Sequence, residues 1–352
     1  VHDFPDGKIP ACSKCGGRQT RGIPKKRDII DVRIIRTETR HTIHTAQCDA
    51  CGKRHDAPNG LPARGSYGKN AVAIIASMRE AHVTVGKIRK AMREITGISM
   101  SNSTIVNCMA RICDAIKKTA RSIAAGIKRS KCVGIDETVA NLAGKTGRTW
   151  VIQSGRNILI LHSRSRGALV LDTHMNRYRG IVISDKYAVY RRFDPGGHQL
   201  CWAHELRPLL YESEEGAPLF VRILYEQVLD LYVRARDDIS GPRSAQLADR
   251  FRAELGRIVS QYRDKEGTPL EAALKRLRTS MPHLFVFLEH SGVEPTNNAS
   301  ERALRHVVVS RKISGQIKGG QIWMDRWSRF MTCILTWQRR DLSMAAEVAK
   351  LV

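Results

Sequence analysis

The sequence predicts an α+β chain of several domains, and three observations carry that prediction. Two matched cysteine pairs frame the first sixty residues. Apolar side chains then recur with helical spacing over 66–128. Short β-branched runs separated by turn residues fill 131–204 before helix returns. The expected units, in order, are a zinc ribbon over 1–60, a helix-turn-helix domain over 66–128, and an α/β unit over 131–352. The last carries a helical insertion at about 205–290.

Length and charge set the bounds. At 352 residues the chain exceeds one ordinary domain, and 42% apolar residues are enough for more than one core. The formal net charge is +25. Residues 1–130 hold 25 Lys and Arg against 10 Asp and Glu, and the remainder holds 34 against 24, so both parts are basic. Such a surplus favours a polyanionic partner, usually nucleic acid, because each phosphate contact releases a condensed counterion. A basic ribosomal or membrane-surface protein is the plainer alternative. No run of 18 apolar residues and no charged-apolar-small leader is present, so no membrane partner is expected. The chain opens on Val1, which points to an unusual start codon or to missing first residues. Nine cysteines, four of them in two Cys-x-x-Cys pairs, fit metal binding in a reducing cytoplasm better than a secreted disulfide framework.

The first module rests on Cys12-x-x-Cys15 and Cys48-x-x-Cys51, each followed by glycine (Gly16, Gly52). Glycine lets the backbone fold its amides toward the thiolates. Four thiolates in two such turns make a closed tetrahedral site for one structural Zn²⁺, with no open position for chemistry. The 32 residues between the pairs, with the alternating stretch Asp31 to Ile43, can form the strands of the ribbon. His41, His44 and His55 lie nearby, but four cysteines leave them no vacancy. Two unrelated redox pairs are the alternative.

Residues 69–81 place Val72, Ile75 and Met78 on one side of a helix. A second helix follows over Val85–Ile95, then a turn through Gly97, and Ser101 or Ser103 offers an N-cap for a third. This is the pattern of a helix-turn-helix reader of DNA. Asn102, Ser103, Thr104 and Asn107 at the third helix's start are short groups able to reach base edges or phosphates. A helical bundle without DNA contact is the alternative.

Strands are expected at Cys132–Ile135, Thr149–Ser154, Asn157–His162, Gly180–Ser184 and His198–Trp202. In the insertion, Leu247, Phe251, Leu255, Ile258 and Tyr262 share one helix face, and a last helical region begins near Asn298. Three acids stand out by setting. Asp136 and Asp185 end apolar runs, where a sheet edge can hold them rigidly, and Glu301 opens the last helical region. Gathered acids suit phosphodiester chemistry, in which two Mg²⁺ (or Mn²⁺) ions stabilise the entering and leaving oxygens. Without metal the carboxylates would repel one another and their pKa values would rise. Each acid also has a plain reading: Asp136 as a turn residue with Glu137 competing for the metal, Asp185 as a cap, Glu301 as a first-turn acid favoured by the helix dipole.

From residue 66 to the end the chain resembles transposases of the insertion sequence sixty-six family, and more broadly the DDE transposases. The resemblance rests on ordered motifs: Gly-Ile-Ser-Met-Ser-Asn-Ser-Thr at 97–104, Val-Gly-Ile-Asp-Glu-Thr at 133–138, Ser-Asp-Lys-Tyr-Ala-Val-Tyr at 184–190, His-Gln-Leu-Cys-Trp-Ala-His-Glu-Leu-Arg at 198–207, and Glu-Pro-Thr-Asn-Asn-Ala-Ser-Glu-Arg-Ala-Leu-Arg at 294–305, followed by Ser-Arg-Lys-Ile-Ser-Gly at 310–315. The resemblance implies an RNase H-like catalytic core whose helical insertion precedes the helix of the third acid. It implies that Asp136, Asp185 and Glu301 are the catalytic acids and hold two Mg²⁺ ions. In this mapping Cys201 and His204 form the Cys-x-x-His found after the fifth strand in several DDE groups, with His204 supporting the core or touching DNA. A second zinc site there lacks two further evident ligands. Arg302, Arg305, Arg311 and Lys312 flank the third acid and could hold phosphates of the scissile strand. Asn297 and Asn298 either cap that helix or contact DNA. From Gln316 onward the chain departs from the family's Ser-rich turn, and it lacks a long N-terminal coiled region.

The expected function is a prokaryotic, cytoplasmic, nucleoid-associated transposase. It would bind the terminal inverted repeats of a mobile element as a homodimer on paired ends, with accessory proteins of the element as further partners. It would cut strands and join the ends to target DNA. An RNase H-like nuclease or resolvase that cuts without joining, and an inactive zinc-ribbon regulator, are the alternatives.

Overall fold

The computed structural model describes residues 4, 7–59, 61, 67–191, 197–265, 268, 270–314 and 319–352. It is a mixed α+β structure around one five-stranded sheet, as expected.

The sheet is built from β3 (Cys132–Leu142), β4 (Lys145–Ser154), β5 (Asn157–Ser163), β6 (Ile181–Ser184) and β7 (His198–Leu200), in the order β5-β4-β3-β6-β7. The first three form an antiparallel meander joined by two-residue turns. Ala143 and Gly144 both have positive φ between β3 and β4, and Gly155 has positive φ between β4 and β5. Positive φ at the turn matches the right-handed twist of the flanking strands. β6 and β7 then add parallel to β3. Both are buried throughout, so Ile181-Val182-Ile183 of β6 reads as an apolar run with no alternation, while His198 and Gln199 of β7 are bonded inside to Ser184 and to the Leu284 carbonyl. The short helices α5 (Leu169–Met175) and α6 (Ala188–Arg191) lie in the connections on either side of β6.

Four helices precede the sheet: α1 (Lys69–Glu80), α2 (Val85–Thr96), α3 (Asn102–Ala115) and α4 (Lys117–Lys128). Gly97 closes α2 in the left-handed conformation, and Ser101, not Ser103, caps α3 by accepting the Thr104 amide at 3.0 Å. Val72, Ile75, Ile88, Met92, Ile105 and Ile112 are fully buried in a core that continues without a break into Val133, Trp150, Ile160 and Phe330. The helices ahead of the sheet therefore share their apolar interior with it.

The insertion is α7 (Trp202–Glu212), α8 (Leu219–Asp237), α9 (Ala245–Ser260) and α10 (Leu270–Leu284), which bury a second core together with Ile181 and Ile183 of β6 and Leu200 of β7. Phe251, Leu255, Ile258 and Tyr262 point into it as their spacing predicts, and Leu247 packs at its margin. Trp202 and Phe285 meet edge to face at 5.2 Å, and Phe251 stacks on Phe285 at 5.9 Å. Three helices finish the chain: α11 (Asn298–Ser314), α12 (Gly320–Arg339) and α13 (Met344–Leu351).

The strand β5 is an edge, and α12 covers it. Thr336 Oγ1 accepts the Ile158 amide at 3.1 Å, Thr332 Oγ1 the Ile160 amide at 3.0 Å, and Ser328 Oγ the His162 amide at 3.2 Å. Three hydroxyls spaced by four on a helix advance about 6 Å per step. Alternate amides on a strand advance about 6.6 Å, so the two ladders stay in register over three rungs.

The first module departs from its expectation. The strands there are β1 (Thr45–Gln47) and β2 (Arg54–Asp56), an antiparallel pair that brackets the second cysteine turn. No strand forms over Asp31–Ile43, and Ile23, Ile29, Ile30, Val32 and Ile35 are exposed. Alternation in that stretch meets no second surface to bury it, so periodicity alone does not make a strand there. No helix among the described residues is long and apolar enough to cross a membrane. Residues 315–318, where the departure from the family pattern begins, lie outside the described residues. The rest of that stretch opens α12, with Trp323 and Trp327 packed on the main core.

Candidate active site

The three acids come from three segments that the sheet and α11 bring together. Asp136 does not sit past a strand's end as its sequence setting predicts. It lies inside β3, which runs on to Leu142. The reason is partnership: β6 pairs only with Cys132–Gly134, whereas β4 pairs with β3 from Gly134 through Leu142. Asp136 is therefore just past the point where the parallel neighbour stops. Asp185 follows β6 directly, with Oδ1 accepting the Tyr187 amide at 2.9 Å. Glu301 lies in the first turn of α11.

Burial drives the Asp136 carboxyl up to about 7, and the nearby charges of Glu137, Asp185 and Glu301 push the same way against a bond from the Glu137 amide. A desolvated carboxyl with further acids beside it is what a cation site presents. The acids fit hard divalent ions by donor type, and Glu301 Oε1 is a buried oxygen with no hydrogen-bond partner.

Glu137 is removed from competition by strand geometry. Neighbouring residues on β3 point to opposite faces. Glu137 accepts from Arg166 at 3.0 and 2.8 Å and from the Tyr190 hydroxyl, while Arg166 stacks 4.1 Å over Tyr187. Burial, then the Glu137 charge, raises the Tyr190 phenol, so it stays a donor. This cluster fastens the loop after Asp185 to the back of β3.

On the front face α11 docks onto β3 through Gly134. A Cβ built there would lie 2.5 Å from Ser300 Oγ, 2.6 Å from Gln153 Nε2 and 2.9 Å from Asn297 Oδ1. Asn297 is 2% exposed. Its Nδ2 donates to Ile135 O at 2.7 Å, its Oδ1 accepts from Ser300 Oγ at 2.6 Å, and its amide donates to Cys201 Sγ at 3.2 Å. Asn297 thus ties the strand of the first acid to the helix of the third. Its side chain is spent on Ile135 O and Ser300 Oγ within this seam and bonds no backbone amide of α11.

Residues 64–321, well over half of the chain, match the Transposase IS66 family. The chain belongs to the IS66 transposase family. A further relative is the uncharacterized protein y4jO of Sinorhizobium fredii (strain NBRC 101917 / NGR234), 34% identical over 138 residues. That alignment covers 38% of this chain and 41% of the relative, so the chain spans about two-fifths of the length of the curated relative it matches.

The remaining residues singled out for the transposase site divide by exposure. Asn298, Arg302, Arg305 and Lys312 are exposed along α11. Arg311 is half-buried and donates to Val139 O, which anchors α11 to the far end of β3. Asn102, Ser103 and Asn107 are exposed at the start of α3, and Thr104 is half-buried beside Ser101. Cys201, buried, caps α7, and His204 in its first turn has Nδ1 3.9 Å from Glu301 Oε1. The Cys201 thiol beside it raises the His204 imidazole, helped by Glu301 and Asp185.

The two cysteine turns are near-copies. The Cys12 amide donates to Gly17 O at 2.9 Å and the Gly16 amide to Cys12 O at 2.8 Å. The Cys48 amide donates to Lys53 O and the Gly52 amide to Cys48 O at the same two distances. Backbone bonds, led by Lys14 for Cys12 and by Cys51 for Cys48, lower both thiols. Each turn fits half of a tetrahedral thiolate site. Among the described residues, no three of these cysteines gather within 4.8 Å.

Sequence reasoning missed Lys186 and Glu205. Glu205 is 1% exposed and accepts from Ser280 Oγ at 3.1 Å, with Lys186 Nζ at 3.1 Å and Arg276 Nε at 3.8 Å. Lys186 also donates to Arg276 O at 3.1 Å. The pair fixes the residue after Asp185 to the insertion. The only signal was the adjacency of Lys186 to Asp185 and of Glu205 to His204, which does not say that they meet.

Proposed function

We propose that this chain is a DDE transposase that binds the terminal inverted repeats of a mobile element, cuts its strands and joins the freed 3′ ends to target DNA. The observation that carries the reading is that Asp185, at a strand end, and Glu301, at a helix start, lie close enough to Asp136 in β3 for their charges to add to burial in raising its carboxyl to about 7. The sheet order, three antiparallel strands continued by two parallel ones, supports an RNase H-like core.

Asp136, Asp185 and Glu301 would hold two Mg²⁺ or Mn²⁺ ions, which supply charge stabilisation to the entering and leaving oxygens of an in-line displacement. The chain's own groups do the rest. Asn297 and Gly134 set the distance between the first and third acids. Glu137, Tyr190 and Lys186 hold the loop of the second. Arg302, Arg305 and Lys312 on the exposed flank of α11 would position scissile-strand phosphates. Asn102, Ser103 and Asn107 at the tip of α3 would enter the major groove of the element end, with Thr104 behind them. Cys12, Cys15, Cys48 and Cys51 would close over one structural Zn²⁺. Two chains would act together on paired ends, with accessory proteins of the element as further partners, in a prokaryotic cytoplasm at the nucleoid.

The test incubates the protein with labelled element-end DNA and an unlabelled plasmid, in Mg²⁺ or EDTA, beside Asp185→Ala. Labelled joint product that needs Mg²⁺ and disappears in the variant is the expected result. Nicking without joining would make the protein a nuclease, and tight binding without any cutting would make it a regulator.

A further inference from the structure

Cys201, His204 and Glu301 each offer a ligand atom, and those atoms all lie within 4.8 Å of one another. Among the described residues this is the one group of three or more His, Cys, Asp and Glu side chains that gathers so tightly. The reading of Cys201 and His204 as a metal pair failed in the sequence because further ligands were not evident. The fold supplies one from a hundred residues downstream, by seating the first turn of α11 against the first turn of α7.

Three properties of the group belong to a site for a cation and not merely to packing. The donors are one sulfur, one imidazole nitrogen and one carboxylate oxygen, a mixed set that suits Zn²⁺ and discriminates against Mg²⁺, which demands oxygen. The sulfur already faces a backbone donor, since its Sγ receives the Asn297 amide at 3.2 Å. The other two ligand atoms are in want of a partner. His204 Nδ1 and Glu301 Oε1 are buried, make no hydrogen bond and face one another at 3.9 Å. Buried polar atoms without partners are rare in native folds, and an ion between them satisfies both. Three protein ligands leave a fourth position of a tetrahedron open.

We propose that Cys201, His204 and Glu301 form a binding site for Zn²⁺, separate from the cysteine turns of the first module, and that zinc bound there takes Glu301 away from the Mg²⁺ site and switches off DNA cutting. The inhibitory half rests on the DDE reading, while the binding half does not. No electron transfer is involved: the Cys201 S–H bond gives way to a sulfur–zinc bond and the proton passes to solvent. Zn²⁺ displaces the thiol proton of Cys201 and any proton on His204, and binding is therefore tighter at higher pH.

The experiment uses the full chain with zinc at saturation, followed by dialysis and metal analysis, for the wild type, His204→Gln, Cys201→Ser, Glu301→Gln and Asp136→Asn. The wild type and Asp136→Asn are expected to hold one equivalent more than the other three. Because all share the first module, its zinc cancels in the difference. Circular dichroism and thermal melting confirm that each variant is folded, and His204→Gln, a half-buried position, guards against a failure of Cys201→Ser to fold. With Co²⁺ in place of zinc, the wild type minus Cys201→Ser spectrum should contain a sulfur-to-cobalt charge-transfer band. In the cutting assay with Mg²⁺, zinc should inhibit the wild type at concentrations at least about tenfold below those needed for His204→Gln, each relative to its own zinc-free rate. Equal metal content in the wild type and His204→Gln overturns the site. An extra equivalent that leaves cutting untouched overturns the sharing of Glu301. An extra equivalent in a protein that cuts no DNA under any condition sustains the binding site and overturns the DDE reading instead.

Discussion

Asp136 illustrates how a single residue's environment makes a testable statement. Its folded pKa is near 7 against an ordinary 3.8, so the folded chain binds a proton that the unfolded chain releases in that window. The metal-free protein should therefore lose stability as pH rises from 3.8 to about 7, and Asp136→Asn should flatten that slope. Denaturant unfolding of both proteins across the range checks it. The same proton competes with metal, so Mg²⁺ affinity should fall by about tenfold per unit as pH drops below 7. Titration calorimetry at pH 6 and 8 is the direct measurement, and a flat profile would place Asp136 outside the metal site. Gly134 is the second residue whose role is steric and readable. With a Cβ 2.5 Å from Ser300 Oγ, Gly134→Ala must push α11 away from β3. A displacement of about 1 Å at a catalytic carboxylate costs on the order of 100-fold in rate. Single-turnover cutting should fall by that order while DNA-end binding changes little. Unchanged cutting would mean that α11 does not set the position of Glu301.

At the scale of elements, the contact of α12 with β5 is the least anticipated feature. An edge strand exposes a row of backbone groups that invites another chain. Here Ser328, Thr332 and Thr336 close the row from a helix, so α12 stands where a sixth strand would otherwise be added. Thr332→Val and Thr336→Val keep the shape and remove the hydroxyl, leaving a buried strand amide without its acceptor. Each should cost about 1–3 kcal/mol in stability, with Thr→Ser at the same positions costing less. Chemical denaturation reads the loss, and hydrogen exchange should localise it to Ile158 and Ile160. Equal stability of the valine variants would mean that packing alone holds α12. The insertion packs its aromatic core onto Ile181 and Ile183 of β6 and Leu200 of β7, and holds the segment after Asp185 through Lys186 and Glu205.

Across the whole molecule, the helices of 69–128 and the sheet bury one continuous core, whereas residues 7–59 contribute no side chain to any core. The first module's order must then come from elsewhere, and two matched thiolate turns supply it if one Zn²⁺ joins them. Chelation of that zinc should disorder the module and weaken binding to element ends while leaving the main thermal transition in place. A main transition that shifts with the metal would show that the module and the core fold as one. The net charge of +25 acts at this scale too. Binding to any DNA should weaken steeply with salt, as counterion release requires.

Composition, spacing and motif were sufficient for the mixed fold, the first three helices and the insertion's apolar face, because each is written in periodicity or in a short contiguous pattern. They were insufficient wherever the answer depended on a partner distant in sequence. β3 runs through Asp136 because β4 continues beside it after β6 has stopped, and nothing local to Asp136 says so. Glu137 and Asn297 look as available as their neighbours until the two faces of β3 assign one to Arg166 and Tyr190 and the other to the seam with α11. The stretch over Asp31–Ile43 alternates like a strand and is not one, because a strand needs a neighbour to bond and a surface to cover. Glu301 likewise joins Cys201 and His204 only once α11 is docked on β3. Local chemistry follows from the residues in order, whereas which groups meet is decided by long-range packing.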